Sequence, residues 1–162
     1  MGIEGQVFIA NENCPGQIVI AGEKDPVEDF IAEAKKAGAK RCIILDVSVP
    51  SHCPLMKRAS ESLQEYLDTI QIKAPQIPVI SNVDAKLINM QDEIRPSLVR
   101  QISSVLRWEE SMRFLIARGV KLFVEIGPGK VLSNLLRRID QQAQTLAIGD
   151  LNGLEKYLNL QI

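Results

Sequence analysis

The feature that most constrains this chain lies late in it. An apolar run from Lys121 to Ile126 enters Gly127-Pro128-Gly129, and Val131, Leu132, Leu135, Leu136 and Ile139 follow at helical spacing. A strand that turns tightly into a helix with one apolar stripe is the signature of an α/β architecture, because strand and stripe must be buried against each other. A strand over Thr145 to Ile148 and a short terminal helix carrying Leu154, Tyr157 and Leu158 extend the pattern.

The N-terminal part reads differently. Runs from Gln6 to Ala10 and from Gln17 to Ala21 flank Asn11-Glu12-Asn13-Cys14-Pro15-Gly16, whose turn formers predict a hairpin with an irregular loop. Asp25 is placed to cap the next helix, with Pro26 at its first position, Glu28 completing a box-like pair and Gly38 ending it. A strand is expected over Arg41 to Val47. The order strand, strand, helix, strand is most of a small α+β sandwich without its first strand and helix. Beyond Val49-Pro50-Ser51-His52-Cys53-Pro54 a helix is expected to about Ile70, with Leu55, Ala59, Leu63, Tyr66, Leu67 and Ile70 forming a core face. A short strand over Val79 to Val83 and helices around Pro96 to Ile102 and Trp108 to Ala117 complete the reading.

Composition excludes several classes. With 162 residues, 46% of them hydrophobic, the chain can bury a core. A net charge of -1 and no cationic stripe argue against nucleic acid as a partner. The longest apolar runs fall far short of the roughly 20 residues of a membrane span, and Met1-Gly2-Ile3-Glu4-Gly5-Gln6 does not read as a signal peptide. A soluble, cytoplasmic protein is the expectation. Cys14, Cys42 and Cys53 have neither disulfide nor zinc spacing, and a single histidine offers no ligand pair, so no metal is expected.

His52 is that histidine, and it stands where a strand is expected to end in a proline-flanked turn, the kind of loop that presents catalytic groups. The alternative is an ordinary histidine bonded to backbone. Ser51 and Cys53 flank it, but neighbours in an extended segment point to opposite sides, so neither is placed to pass it a proton. No serine has glycine two residues away on both sides, so the strained elbow that holds a nucleophile in α/β hydrolases is absent. If His52 is a base, its serine is elsewhere. Gly127-Pro128-Gly129-Lys130 could expose helix N-terminal amides to an anion, or be a packed turn. Asn82 and Gln101 could be solvated polar residues with no special role.

Several segments taken in order, Asn13 to Gly22, Val47 to Cys53, Pro78 to Val83 and Glu125 to Leu132, resemble the malonyl-CoA:acyl carrier protein transacylase family. Leu98-Val99-Arg100-Gln101 and Trp108 extend the likeness, which runs from near residue 6 to about residue 140. The resemblance implies a partial ferredoxin-like subdomain over residues 1–48 and the C-terminal part of an α/β hydrolase-like acyltransferase core over 49–162. It implies His52 as general base, with Asn82 and Gln101 as the positions whose carbonyl oxygens orient it. It also implies malonyl-CoA as substrate, no permanently bound cofactor, acyl carrier protein as partner and fatty acid biosynthesis as setting.

By the same resemblance the elbow serine, the oxyanion amides and the arginine that pairs with malonate belong to an N-terminal half outside this sequence. The isolated chain would then be inactive until such a half joins it. A non-catalytic module that binds carrier protein or coenzyme A is the alternative. An incomplete sheet edge and an unmatched face should expose apolar surface and favour association.

Overall fold

In the computed structural model, residues 6–160 are described. The segment Met1 to Gly5, on which most of the leader reading rests, lies outside them. Strands β1 (Val7–Cys14) and β2 (Gln17–Gly22) form an antiparallel hairpin closed by Pro15-Gly16. Gly16 has φ 73°, a left-handed conformation that costs glycine little. The hairpin was expected to end its first strand at Ala10, yet β1 continues through Asn11, Glu12 and Asn13 with register shifts between Ile9 and Asn11 and between Glu12 and Cys14. The second edge of β1 explains this. Leu106 N donates to Ala10 O at 2.8 Å and Glu12 N donates to Leu106 O at 2.9 Å, so the polar residues are held as strand from both sides.

Helix α1 (Lys24–Lys36) starts one residue before the expected cap. Glu23 is its N-cap and makes no side-chain cap bond. Asp25 therefore sits inside the first turn, where its charge complements the helix dipole instead of closing a capping box. The expected strand over Arg41 to Val47 does not form. Its residues pair with no strand among those described, and Ile44 and Val47 are 67% and 69% exposed. A β-branched run has strand propensity, but a strand exists only with a ladder partner.

A 3₁₀ turn over Pro54–Met56 leads into α2 (Lys57–Asp68). Ser60 and Leu67 are buried on α2, whereas Leu55, Ala59, Tyr66 and Ile70 are exposed, so the expected core face is covered only in part. Arg95 closes the C-terminal end of α2 by donating from Nε to Leu67 O and from Nη2 to Ile70 O, each at 3.1 Å. The expected strand over Val79 to Val83 is shorter: β3 (Val79–Ile80) pairs antiparallel with β4 (Leu87–Ile88) around a tight turn.

Helix α3 (Gln91–Ser103) begins upstream of the expected Pro96 start. The Glu93 carboxylate accepts from Asn89 N and Met90 N, both at 2.9 Å, and this fixes the true N-terminus. Helix α4 (Trp108–Ala117) follows, then β5 (Leu122–Ile126), α5 (Val131–Ile139), β6 (Gln144–Ile148) and α6 (Leu151–Leu158). β5 and β6 pair in parallel from Leu122–Gln144 to Ile126–Ile148, with α5 as the crossover. Asp150 caps α6, its Oδ1 accepting from Gly153 N at 2.8 Å.

Cys14, Met112, Leu135, Leu136 and Ile139 make the central cluster, with Trp108, Leu115, Ile116 and Phe123 packed around it. The hairpin thus shares a core with α4 and α5, and Arg138 fastens it by donating to Gln17 Oε1 and, at 3.1 Å, to Pro15 O. The accessible surface of 11716 Å² is large for 18.0 kDa. A compact monomer of that mass exposes about 8,000 Å². Exposed apolar side chains such as Ile43, Ile44, Ile77 and Ile126 lie on that surface.

Candidate active site

His52 sits at the end of the segment that links α1 to the 3₁₀ turn, and its backbone is strained, with φ 62° in a region sparsely used by residues that carry a Cβ. Two bonds hold it there. Its own N–H donates to Ile102 O at 3.0 Å, and ring Nδ1 lies 2.8 Å from the backbone oxygen of Gln101. A carbonyl only accepts, so Nδ1 carries the proton and Nε2 is left with its lone pair. That is the tautomer a general base requires.

Gln101 and Ile102 belong to the last turn of α3, whose carbonyls have no partner within the helix. His52 satisfies two of them, and Ser60 Oγ, reaching across from α2, donates to Val99 O at 2.6 Å just before them. The negative end of the α3 dipole faces the ring. A helix terminus so placed can fix an imidazole's tautomer as the carboxylate of a serine–histidine–aspartate triad does.

The sequence reading named Gln101 and Asn82 beside His52. Gln101 meets the ring through its main chain. Asn82 makes no hydrogen bond to His52; its carbonyl accepts from Arg107 N at 2.7 Å and so fixes the chain just beyond the α3 terminus. Cys53 turns away, buried, with Sγ donating to Pro50 O at 3.1 Å. A shallow cavity of about 420 Å³ opens beside this loop, lined by Pro54, Lys57, Ser60, Glu61, Gln64 and Ser103.

Residues that the sequence reading missed hold α3 in place. Ser81 Oγ and Ser97 Oγ are 2.7 Å apart and both side chains are buried. Asp84 Oδ2 accepts from Arg100 Nη2 at 2.7 Å, from Ser81 Oγ at 3.1 Å and from Ser97 Oγ at 3.3 Å. Partial burial alone would raise the Asp84 carboxyl, but the bonds from Arg100, Ser81 and Ser97 outweigh it and hold the group below its ordinary range. The available signal was Ser97 and Arg100 one turn apart, small and cationic on one helix face.

The loop Gly127-Pro128-Gly129-Lys130 is a turn at the surface and not a packed one: Pro128, Gly129 and Lys130 are exposed, and a Cβ at Gly127 or Gly129 would meet nothing within 4 Å. The Glu125 carboxylate accepts from Leu132 N at 3.0 Å and Ser133 N at 2.8 Å, so the amides that an external anion would use are taken by the chain's own anion. Burial would raise Glu125, and the bonds from Ser133, Leu132 and Val131 lower it further than burial lifts it. Among the described residues no group of three or more His, Cys, Asp or Glu side chains is placed to hold a metal. No helix among them is long and apolar enough to cross a membrane.

The chain joins a parallel β5–α5–β6 unit to a histidine held at a helix terminus, and solved structures of the α/β acyltransferase kind superpose on it. An acyl carrier protein S-malonyltransferase from Vibrio cholerae matches with a TM-score of 0.92 at 44% identity, over 96% of this chain and 51% of that one. A malonyl-transacylase solved with a type II polyketide synthase acyl-carrier protein gives 0.92 at 46%, over 96% and 50%. The acyl transferase domain family matches residues 2–154, and the chain belongs to that family. Among its relatives, the malonyl CoA-acyl carrier protein transacylase of Bacillus subtilis is 48% identical over 92% of this chain and 47% of its own length. The enzyme of that name from Escherichia coli K12 is 45% identical over 97% and 51%. The chain spans about half the length of the relatives it matches.

Proposed function

We propose that this chain supplies the general base, His52, of a malonyl-CoA:acyl carrier protein transacylase acting in fatty acid biosynthesis in the cytoplasm. The observation that carries the reading is the Nδ1 contact with the Gln101 carbonyl, which leaves Nε2 free to take a proton. The names of the relatives point to malonyl-CoA and carrier protein as the substrates.

In this reading Nε2 takes the proton of a serine hydroxyl supplied by a segment outside this sequence. The serine oxygen attacks the malonyl thioester, the C–S bond breaks, and the imidazolium returns its proton to the departing coenzyme A thiolate. His52 then deprotonates the phosphopantetheine thiol of the carrier protein, whose sulfur attacks the serine ester, and the serine oxygen leaves with that proton. Gln101 orients the ring through its carbonyl, and Asn82 contributes by holding Arg107 N beyond the α3 terminus. No permanent cofactor is required.

The domain reading belongs to the same proposal: residues 1–48 as a partial ferredoxin-like subdomain and 49–162 as the C-terminal part of the core. The unpaired Arg41 to Val47 segment supports it, since it would pair with the subdomain's first strand. The surplus of accessible surface supports it too, being several times the ~800 Å² per partner of a standard interface. The test is reconstitution with a serine-bearing N-terminal segment. Malonyl transfer should appear only in the mixture, and His52→Ala should lower its rate about 10²- to 10⁴-fold. A mixture in which His52→Ala transfers at the native rate would remove the assignment.

A further inference from the structure

We propose that Asp84, acting with Arg100, is a positioning residue for His52, clamping the β3–β4 turn onto α3 so that the Gln101 carbonyl stays in line with Nδ1. The proposal rests on the reading of His52 as base, and its argument is local. Asp84 is itself held: Ala85 N donates to Ser81 O at 2.9 Å, Ser81 N to Lys86 O at 2.8 Å, and Asp84 N to Ser81 Oγ at 3.2 Å. Ala85 has φ 50°, so the turn is tight enough to require a left-handed alanine.

From this fixed turn the carboxylate reaches Ser97 and Arg100, which are three apart and share one face of α3. Gln101 is the next residue. The same turn holds the other end of the connection, because Asn82 O accepts from Arg107 N. The two grips bracket Gln101 and Ile102, whose carbonyls hold the imidazole and the backbone of His52. External grips matter here because Pro96 lies inside α3 and removes a bond from the helix's own ladder. Asp84 spends its carboxylate on Arg100 and the two serines, so its effect on His52 passes through the helix.

The single histidine of the chain makes the test direct. Ring ¹⁵N shifts and two-bond ¹H–¹⁵N correlations of ¹⁵N-labelled chain, at about pH 8 where an ordinary histidine is neutral, report the tautomer. The native chain should show the Nδ1–H form. Asp84→Ala should lower the ratio of Nδ1–H to Nε2–H about five- to tenfold, and Arg100→Met should act in the same direction. Arg100→Lys, which keeps a cation beside Asp84, should restore most of the ratio. Glu125→Gln, which weakens the fold at α5, should leave it unchanged. If Asp84→Ala unfolds the chain, Ser97→Ala and Arg100→Met provide the graded series, and a native ratio in both overturns the proposal. A folded Asp84→Ala chain with the native ratio overturns the clamp alone. An Nε2–H form in the native chain would instead overturn the reading of His52 as base.

Discussion

Nδ1 of His52 lies 2.8 Å from the backbone oxygen of Gln101, although 49 positions separate the two in sequence. Because the acceptor is a main-chain carbonyl at a helix terminus, the orienting group survives any side chain that keeps the helix. Gln101→Ala should therefore keep the Nδ1–H tautomer and change stability by no more than about 0.5 kcal/mol. Thermal melts and the ring ¹⁵N spectrum check this. Loss of the Nδ1–H signal in Gln101→Ala would place the orienting group on the side chain.

Ser60 is buried on α2 and donates to Val99 O, so it ties the two helices that flank the His52 loop. Val99 O keeps its donor within the helix, so Ser60→Ala removes only this tie between α2 and α3 and should cost about 0.5–1.5 kcal/mol. Chemical denaturation measures it, and a change below about 0.3 kcal/mol would mean water replaces the hydroxyl at no cost.

Asp84 and Glu125 both have folded-state pKa values below their ordinary 3.8 and 4.5. A carboxyl lowered by folding stabilises the fold above its unfolded value, and the contribution is lost as pH falls through the folded one. Stability should accordingly hold from neutrality to about pH 5 and drop below about pH 4. The double variant Asp84→Asn, Glu125→Gln should begin less stable and lose less over that acid window. Parallel curves for the native and double-variant chains would contradict the assignment of the acid slope to these groups.

Gly153 sits inside α6, where propensity alone would have alanine stabilise the helix by about 1 kcal/mol. Packing reverses the sign. A Cβ at Gly153 would lie 2.6 Å from Ala147 O and 3.0 Å from Ile148 Cα, both backbone atoms of β6. Gly153→Ala should therefore destabilise by about 1–3 kcal/mol. A rise in melting temperature would show that α6 can move off the strand without cost.

The parts legible in sequence were those specified by local chemistry. The Lys121-to-Ile139 strand, turn and helix follow from an apolar run, two glycines and a stripe, and the structure forms β5 and α5 there. Pro15-Gly16 likewise closes its hairpin. What was illegible depended on partners distant in sequence. Arg41 to Val47 has strand propensity with nothing to pair with, and Tyr66 has helical phase but is 65% exposed because no element covers it. Glu93 set the start of α3 by reaching back to amides at 89 and 90, overriding the proline signal at 96. At the site, His52 stood out as the only histidine, whereas Asp84 and Ser60 act across 16 and 39 residues and leave no local pattern.

The central claim is that this chain brings a base and not the nucleophile. The direct measurement is the intact mass of both polypeptides after the chain, mixed with a serine-bearing N-terminal segment, is exposed to malonyl-CoA. The account predicts one malonyl adduct on the added segment, an unmodified mass for this chain, and adduct formation slowed about 10²- to 10⁴-fold by His52→Ala. A malonyl adduct on this chain, or labelling of the segment at the native rate with His52→Ala, would contradict it.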